Sequence, residues 1–373
     1  MSETTEPAPL GSRTTLFHHA LRLHRENPDA PLPRDGEPYP DDEHHRGRRF
    51  RTRRDMRTQG ADAAAILDAH FGDEDAPASD LADAFHDVDV PIQHNDHVAA
   101  AALRADRRRV QNTGRWLVRH STDRCSALVG LALLATDRAD EDIPLIQTIG
   151  LLSNSFGALA AKALRRRTGD GQALLWLAHR VTGVGRVYLV EELCRCQPHA
   201  AREWLLRHAC DGDCLNGYFA GQVAAAAHLH EAITGAELDD DLVDHTGRLL
   251  HVMATCDGMG TTLAHYPPAA IVLAAHSTHL GRQAPAADRY LTAALIADDL
   301  TTAPPEQSGC TTEQRDELVR RYVSVLNRQD WCDAMHADTN RDDDFIARFA
   351  SKVAARLRLR AFIKPGNDPS PTE

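Results

Sequence analysis

Twelve residues, "CDGDCLNGYFAG" at 210–221, bring together two cysteines, two aspartates, an asparagine and three glycines. A set of that kind could ligate a cation or cradle a phosphate. A calcium loop, however, needs oxygen ligands at alternate positions and a closing glutamate. Counted from Asp211, the fifth position is Leu215 and the twelfth is Gln222, so the spacing excludes that site. Similar glycine punctuation recurs in "TGDGQ" (168–172), "TGVGR" (182–186) and "CDGMG" (256–260). The stretch therefore reads as a turn, with Gly212 left-handed just past one helix end and Asp213 capping the next helix.

Other clusters meet the same test. "FHDVDVPIQHNDHV" (85–98) gathers His86, Asp87, Asp89, His94, Asp96 and His97, a mixed nitrogen and oxygen set suited to a metal. One segment rarely supplies a whole metal site, so the stretch reads as a solvated loop around Pro91, with Asn95 or Asp96 capping the following helix. Cys194 and Cys196, or Cys210 and Cys214, lack the paired CxxC spacing of structural zinc and read as small packing residues. His276 and His279 share a helix face and could join His251 or His265 as ligands, but among 21 histidines chance pairs are common. "HEAIT" (230–234) has Thr234 where a zincin needs its second histidine, and "GVGRVY" (183–188) has Tyr188 where a dinucleotide loop needs glycine. Neither a GxSxG elbow nor a GxxxxGK[ST] loop occurs. No catalytic residue, cofactor or metal is expected.

Charge and composition narrow the class further. The net charge of −12 disfavours a surface built to grip phosphate backbones. Of 42 basic residues only Lys162, Lys352 and Lys364 are lysine, a bias that reads as the signature of a GC-rich genome. Eight cysteines in 373 residues do not make a disulfide scaffold, and the longest apolar run, "CSALVGLALLA" (125–135), is too short to cross a bilayer. A soluble, reducing, cytoplasmic setting with no membrane partner is expected.

Residues 1–60 hold seven of the 19 prolines, and "NPDAPLPRDGEPYPDDE" (27–43) can propagate neither a helix nor a ladder. This arm is expected to be mostly disordered, apart from a short helix that Leu16, Phe17, Ala20 and Leu21 could dock. "RGRRFRTRRDMR" (46–57) packs seven arginines into twelve residues. Nucleic-acid contact through Arg46–Arg57 is conceivable but disfavoured, since Phe50 alone gives no stacking series.

From Ala61 the chain reads as helical throughout, and it repeats. Aligning "RWLVRHST" (115–122), "LIQTIGLL" (145–152), "LWLAHRVT" (175–182) and "EWLLRHAC" (203–210) places Trp116, Ile146, Trp176 and Trp204 at intervals of 30, 30 and 28. A second set, "SALVGLALL" (126–134), "FGALAAKAL" (156–164), "GRVYLVEEL" (185–193) and "NGYFAGQVA" (216–224), keeps the same beat. Units of one helix, a turn and a second helix cannot bury their faces alone and must stack. The three tryptophans then belong to the packed layer between helices.

Over residues 107–235 this pattern resembles the short HEAT-like repeats of armadillo-type α-solenoids. The chain also resembles uncharacterised actinobacterial proteins of arginine-rich, alanine-rich composition, which carries no function with it. The resemblance implies an all-α fold, a HEAT-like α-solenoid of antiparallel helix pairs. Its expected limits are an arm at 1–60, repeats at 61–235, a helical C-terminal cap at 236–363 and a disordered tail at 364–373. It implies a non-enzymatic scaffold or adaptor that binds a protein partner; the alternative is a nucleic-acid-binding or DNA-glycosylase-like enzyme on the same scaffold. In stacked repeats equivalent exposed positions form rows across the second helices. Lys162, Glu191 and Gln222 fall in one row and Arg166 and Arg195 in the next, so these five residues are the expected partner-facing patch.

Overall fold

The computed structural model describes residues 14–45, 58–167, 171–196, 199–236, 238–338 and 344–363. Within them the chain is all helical, without a strand. It divides into two compact units, residues 1–201 and 202–373. The boundary expected near 235 falls inside the second unit.

The first unit opens with α1 (Leu16–Glu26), α2 (Asp42–His45), α3 (Ala61–Gly72) and α4 (Asp96–Arg104). Three consecutive pairs succeed them at the expected beat: α5 (Arg107–His120) with α6 (Arg124–Leu134), α7 (Ile143–Gly150) with α8 (Ser153–Arg165), and α9 (Gln172–Ala178) with α10 (Gly183–Cys194). Helix starts obey local chemistry: Asn95, Asp106 and Asp123 each accept backbone N–H bonds from the first turn of the helix they precede. Within each pair the helices pack on one another, and α8 also packs on both α6 and α10. The approach of α8 to α10 depends on glycine. A Cβ at Gly157 would stand 3.1 Å from the Gly185 Cα, and a Cβ at Gly185 would invade the Ser153 side chain.

Residues 27–45 depart from the expected disorder. Helix α1 lies on α5 and α7, with Leu16 and Ala20 fully buried. Beyond it the chain is held by polar groups that composition does not reveal. Arg180 donates to the Pro28 carbonyl at 2.8 Å and to Asp29 at 3.1 Å. Asp35 accepts the N–H of Ser153 and of Asn154 at the start of α8. Buried Asp41 accepts from the backbone and guanidinium of Arg124 at 2.7–3.2 Å, and Tyr39 lies under the same guanidinium. Helix here is confined to a 3-10 turn at Pro33–Gly36 and the single turn of α2; the prolines did not exclude side-chain anchoring. The segment Arg46–Arg57 lies outside the described residues, as do 1–13 and 364–373.

In the second unit α11 (His199–His208), whose first residues still belong to the first unit, leads into the glycine-rich turn at 210–213. Gly212 takes the left-handed conformation, φ 92°, and Asp213 accepts the Leu215 N–H at 2.8 Å. A 3-10 turn, Cys214–Tyr218, comes next, and only then α12 (Ala220–Ala226) and α13 (Leu229–Thr234). The fourth expected second helix is thus split, and its glycines are closely approached: a Cβ at Gly217 would meet Met259 and one at Gly221 would meet Thr261. Then come α14 (Asp240–Thr255), α15 (Ala269–Leu280), α16 (Ala287–Thr302), α17 (Thr312–Leu326) and α18 (Gln329–Asp338). Thr311 and Gln314 form a reciprocal capping box on α17. Helix α19 (Asp344–Phe349) continues through a π-helical stretch, Ala350–Ala354. α14 packs on α12, α15 and α16, and α16 packs on α17 and α18, around fully buried Tyr290, Tyr322 and Trp331.

Candidate functional site

Three places gather polar chemistry, and the expected patch is the first. Lys162 near the end of α8, Arg166 just past it, Glu191 on α10 and Arg195 just past α10 sit on the two helices that pack together in the first unit. Gln222 is exposed on α12 of the second unit. Arg195 is exposed and pairs with Glu192 at 2.8 Å, while Arg165 also reaches Glu192. Arg166 is less available than expected: its guanidinium donates to the Ala135 carbonyl at 3.0 Å, closing the end of α6. Partial burial, and after it the neighbouring Arg166 charge, lowers the Lys162 pKa; partial burial raises that of Glu191.

The loop expected to be merely solvated lies against this patch. Gln93 donates to the Tyr188 hydroxyl on α10 at 3.1 Å, and His94 is close enough to Lys162 and Arg166 for their charge to depress its pKa, after burial itself. Asn95, not Asp96, caps α4. His86 of the same segment meets Asp123 instead.

His86 belongs to the second place. Its Nδ1 lies 2.6 Å from Asp123 Oδ2, and His45 Nε2 lies 3.2 Å from the same oxygen and 3.1 Å from Asp41 Oδ2. Cys125, two residues on in α6, brings its Sγ within 4.8 Å of the His45 and Asp123 ligand atoms. Three segments meet here: α2, the loop after α3, and the start of α6. Burial alone would favour neutral carboxyls. At Asp41 the bonds from His45 and Arg124 outweigh it, and at Asp123 those from His45 and His86 do, so both stay below the usual carboxylate range. Sequence reasoning missed this cluster. Each member is a common residue type, and its partners stand 37 and 78 positions away.

The third place is a cavity of about 110 Å³ in the second unit, bordered by Asp244, Gly247, Arg248, His276, Arg289 and Thr292. A wider groove of about 440 Å³ shares Arg248, Asp288 and Thr292 with it and extends to the turn at Cys210–Gly212. His276 is the focal group. Its Nδ1 lies 2.8 Å from the buried Tyr322 hydroxyl, and a Cβ at Gly247 would stand 2.8 Å from its Nε2. Glycine thus leaves Nε2 space toward the cavity. Burial, against a smaller pull from Asp244, holds this imidazole neutral with its pKa down at about 4. A neutral, oriented imidazole can pass a proton, but it needs an acid or nucleophile beside it. Asp244 is occupied by Arg289 at 2.7 Å and Gln283 at 3.1 Å. There remains hydrogen bonding to a small polar guest or to water.

The histidine set weighed from sequence does not assemble. His251 pairs with Asp299 at 3.0 Å, His265 lies against Thr262 at 2.9 Å, and neither joins His276 and His279 in a ligand group among the described residues. Cys194 is packed at the end of α10, where burial pushes its thiol up to about 12. Trp204 is buried as expected of the packed layer. Trp116 and Trp176 are only half-buried, Trp116 stacked on His120 and Trp176 between His24 and Arg180. No described helix is long and apolar enough to cross a membrane. Comparison of the chain with protein-family models, with curated proteins and with solved structures finds no match.

Proposed function

We propose that the protein is a non-enzymatic scaffold or adaptor, an α-solenoid of HEAT-like antiparallel helix pairs that receives a protein partner across its second helices. Support comes from the order of contacts: α5 with α6, α7 with α8 and α9 with α10 pair, while α6, α8 and α10 neighbour one another in series. That is the pattern stacked repeats require.

One observation carries the reading of the partner. The face formed by α8 and α10 already holds an irregular segment of its own chain through Gln93 on Tyr188 and His94 beside Lys162. A surface that seats a non-helical segment by side-chain contacts in cis is suited to seat one in trans, with Glu191 and Arg195 next to it. The nucleic-acid alternative is weaker on charge: Arg104, Arg107, Arg115, Arg124 and Arg165 are all spent on carboxylates of the protein itself.

Affinity capture from the native host tests the reading, using wild type and a K162E/R195E double variant. Arg166 is left intact because it closes α6. The variant should melt close to wild type and lose the captured protein. Undiminished capture by a folded variant would place the interface elsewhere, and retention of nucleic acid in place of protein would favour the alternative.

A further inference from the structure

We infer that the cluster around Asp123 is a zinc site that staples the N-terminal strap to the start of α6. Ligand atoms, one each from His45, Asp123 and Cys125, already lie within 4.8 Å of one another, and His86 Nδ1 stands 2.6 Å from Asp123 Oδ2. Imidazole, thiolate and carboxylate together are the donor set zinc prefers, and His86, outside this close group of three, would complete four protein ligands by turning its Nδ1 from Asp123 onto the ion. In a tetrahedral zinc site with bonds of about 2.0–2.3 Å, ligand atoms stand roughly 3.3–3.8 Å apart. The 2.6 and 3.2 Å separations at Asp123 Oδ2 therefore need to widen only slightly.

Charge points the same way. Asp41, Asp42 and Asp123 converge here, and the guanidinium of Arg124 reaches the first two. Three carboxylates against one guanidinium leave an excess of negative charge where a divalent cation would sit. Asp41, held by Arg124, lies 3.1 Å from the same His45 Nε2 and would release that contact when the nitrogen takes the metal. Asp123 is itself fixed, because its other oxygen accepts the Cys125 N–H at 2.8 Å. The histidine side chains keep 15% and 23% of their surface in solvent, which gives the ion a path in. On binding, the Cys125 thiol gives up its proton to solvent and its sulfur takes the metal as thiolate. Because the ligands come from α2, the loop after α3 and α6, the ion would tie together segments that local sequence does not join.

The test is zinc retention by the full chain, stripped with chelator, reloaded with zinc sulfate and dialysed, with metal counted by elemental analysis. One zinc per chain is expected. H45Q and H86Q should each weaken binding by at least the ~10–100-fold that loss of an outer-shell partner costs. Cobalt(II) should give thiolate charge-transfer absorption in the wild type that C125S lacks. Circular dichroism of the metal-free variants should match metal-free wild type, since both histidines are partly exposed and serine preserves the shape of Cys125. Failure of wild type to retain zinc overturns the inference, as does equal retention by all three variants. If wild type binds no metal and H45Q and H86Q still lower the melting temperature, the cluster is a proton-bridged network instead.

Discussion

Asp35 caps a helix that begins 118 residues away. One of its carboxylate oxygens accepts both the N–H and the hydroxyl of Ser153, at 3.0 and 2.6 Å, and the other accepts the Asn154 N–H. The first turn of α8 has no capping side chain of its own. To present the carboxylate, Arg34 and Asp35 adopt left-handed φ values of 50° and 55°, a conformation that costs non-glycine residues of order 1–3 kcal/mol each. The segment around Asp35 is therefore a structural part of the first unit, and its removal would uncap α8.

D35A should cost about 1–2 kcal/mol, the usual value of an N-cap, measured by urea unfolding. D35N, which keeps one acceptor oxygen and tolerates the left-handed backbone, should cost less. Hydrogen exchange should quicken over both the strap and the first turn of α8 in D35A. Faster exchange in only one of them would mean that the two are not coupled.

Closeness of α8 and α10 makes a second prediction. G185A inserts a methyl into space held by Ser153, and overpacking of this kind costs about 1–3 kcal/mol. A G185A/S153G double variant should recover part of the loss. If G185A unfolds at the same urea concentration as wild type, the two helices are not in the close contact described.

Arg167 accounts for part of the arginine bias in physical terms. Its side chain is fully buried and donates to the carbonyls of Leu134, Ala139 and Ala163 at 2.8–3.0 Å, joining α6, the following loop and α8. Burial lowers its pKa, yet a planar fork satisfies several carbonyls at once, which a lysine ammonium on a flexible stem does not. R167K should therefore cost about 2–3 kcal/mol despite keeping its charge. A loss within error of zero would show that charge alone suffices.

His276 sets a dependence on acid. Its folded pKa, about 4, lies below the ordinary histidine value of 6.5, so the unfolded chain binds a proton first as pH falls. The penalty is absent well above 6.5, grows between 6.5 and 4, and reaches about 3 kcal/mol below that window. Urea unfolding at pH 7.5 and at pH 4.5 should show a larger loss for wild type than for H276Q. Equal losses would mean that this imidazole titrates normally and is not buried as described.

Much of the fold was legible because it is local. Helical character shows in the composition, and the glycine and aspartate at 212 and 213 announced their turn, since caps and turns are decided within four positions. Caps at Asn95, Asp123 and Asp239 belong to the same class. The limits of that reading appear where partners are distant. Composition said what residues 27–45 could not form, but Asp35, Asp41 and His45 find their partners at Ser153, Arg124 and Asp123, which no local rule connects. His86 was visible as one of several candidate ligands in a loop, while the choice of His86 over His94 and His97 was made by the position of α6. Likewise Arg166 and Arg195 each stand just past a helix end, α8 and α10, yet Arg166 closes a neighbouring helix and Arg195 faces solvent. Helix propensity and capping are properties of short stretches of backbone and so are written in the chain; which side chains meet across tens of residues depends on how the helices pack, and only the tertiary structure decides it.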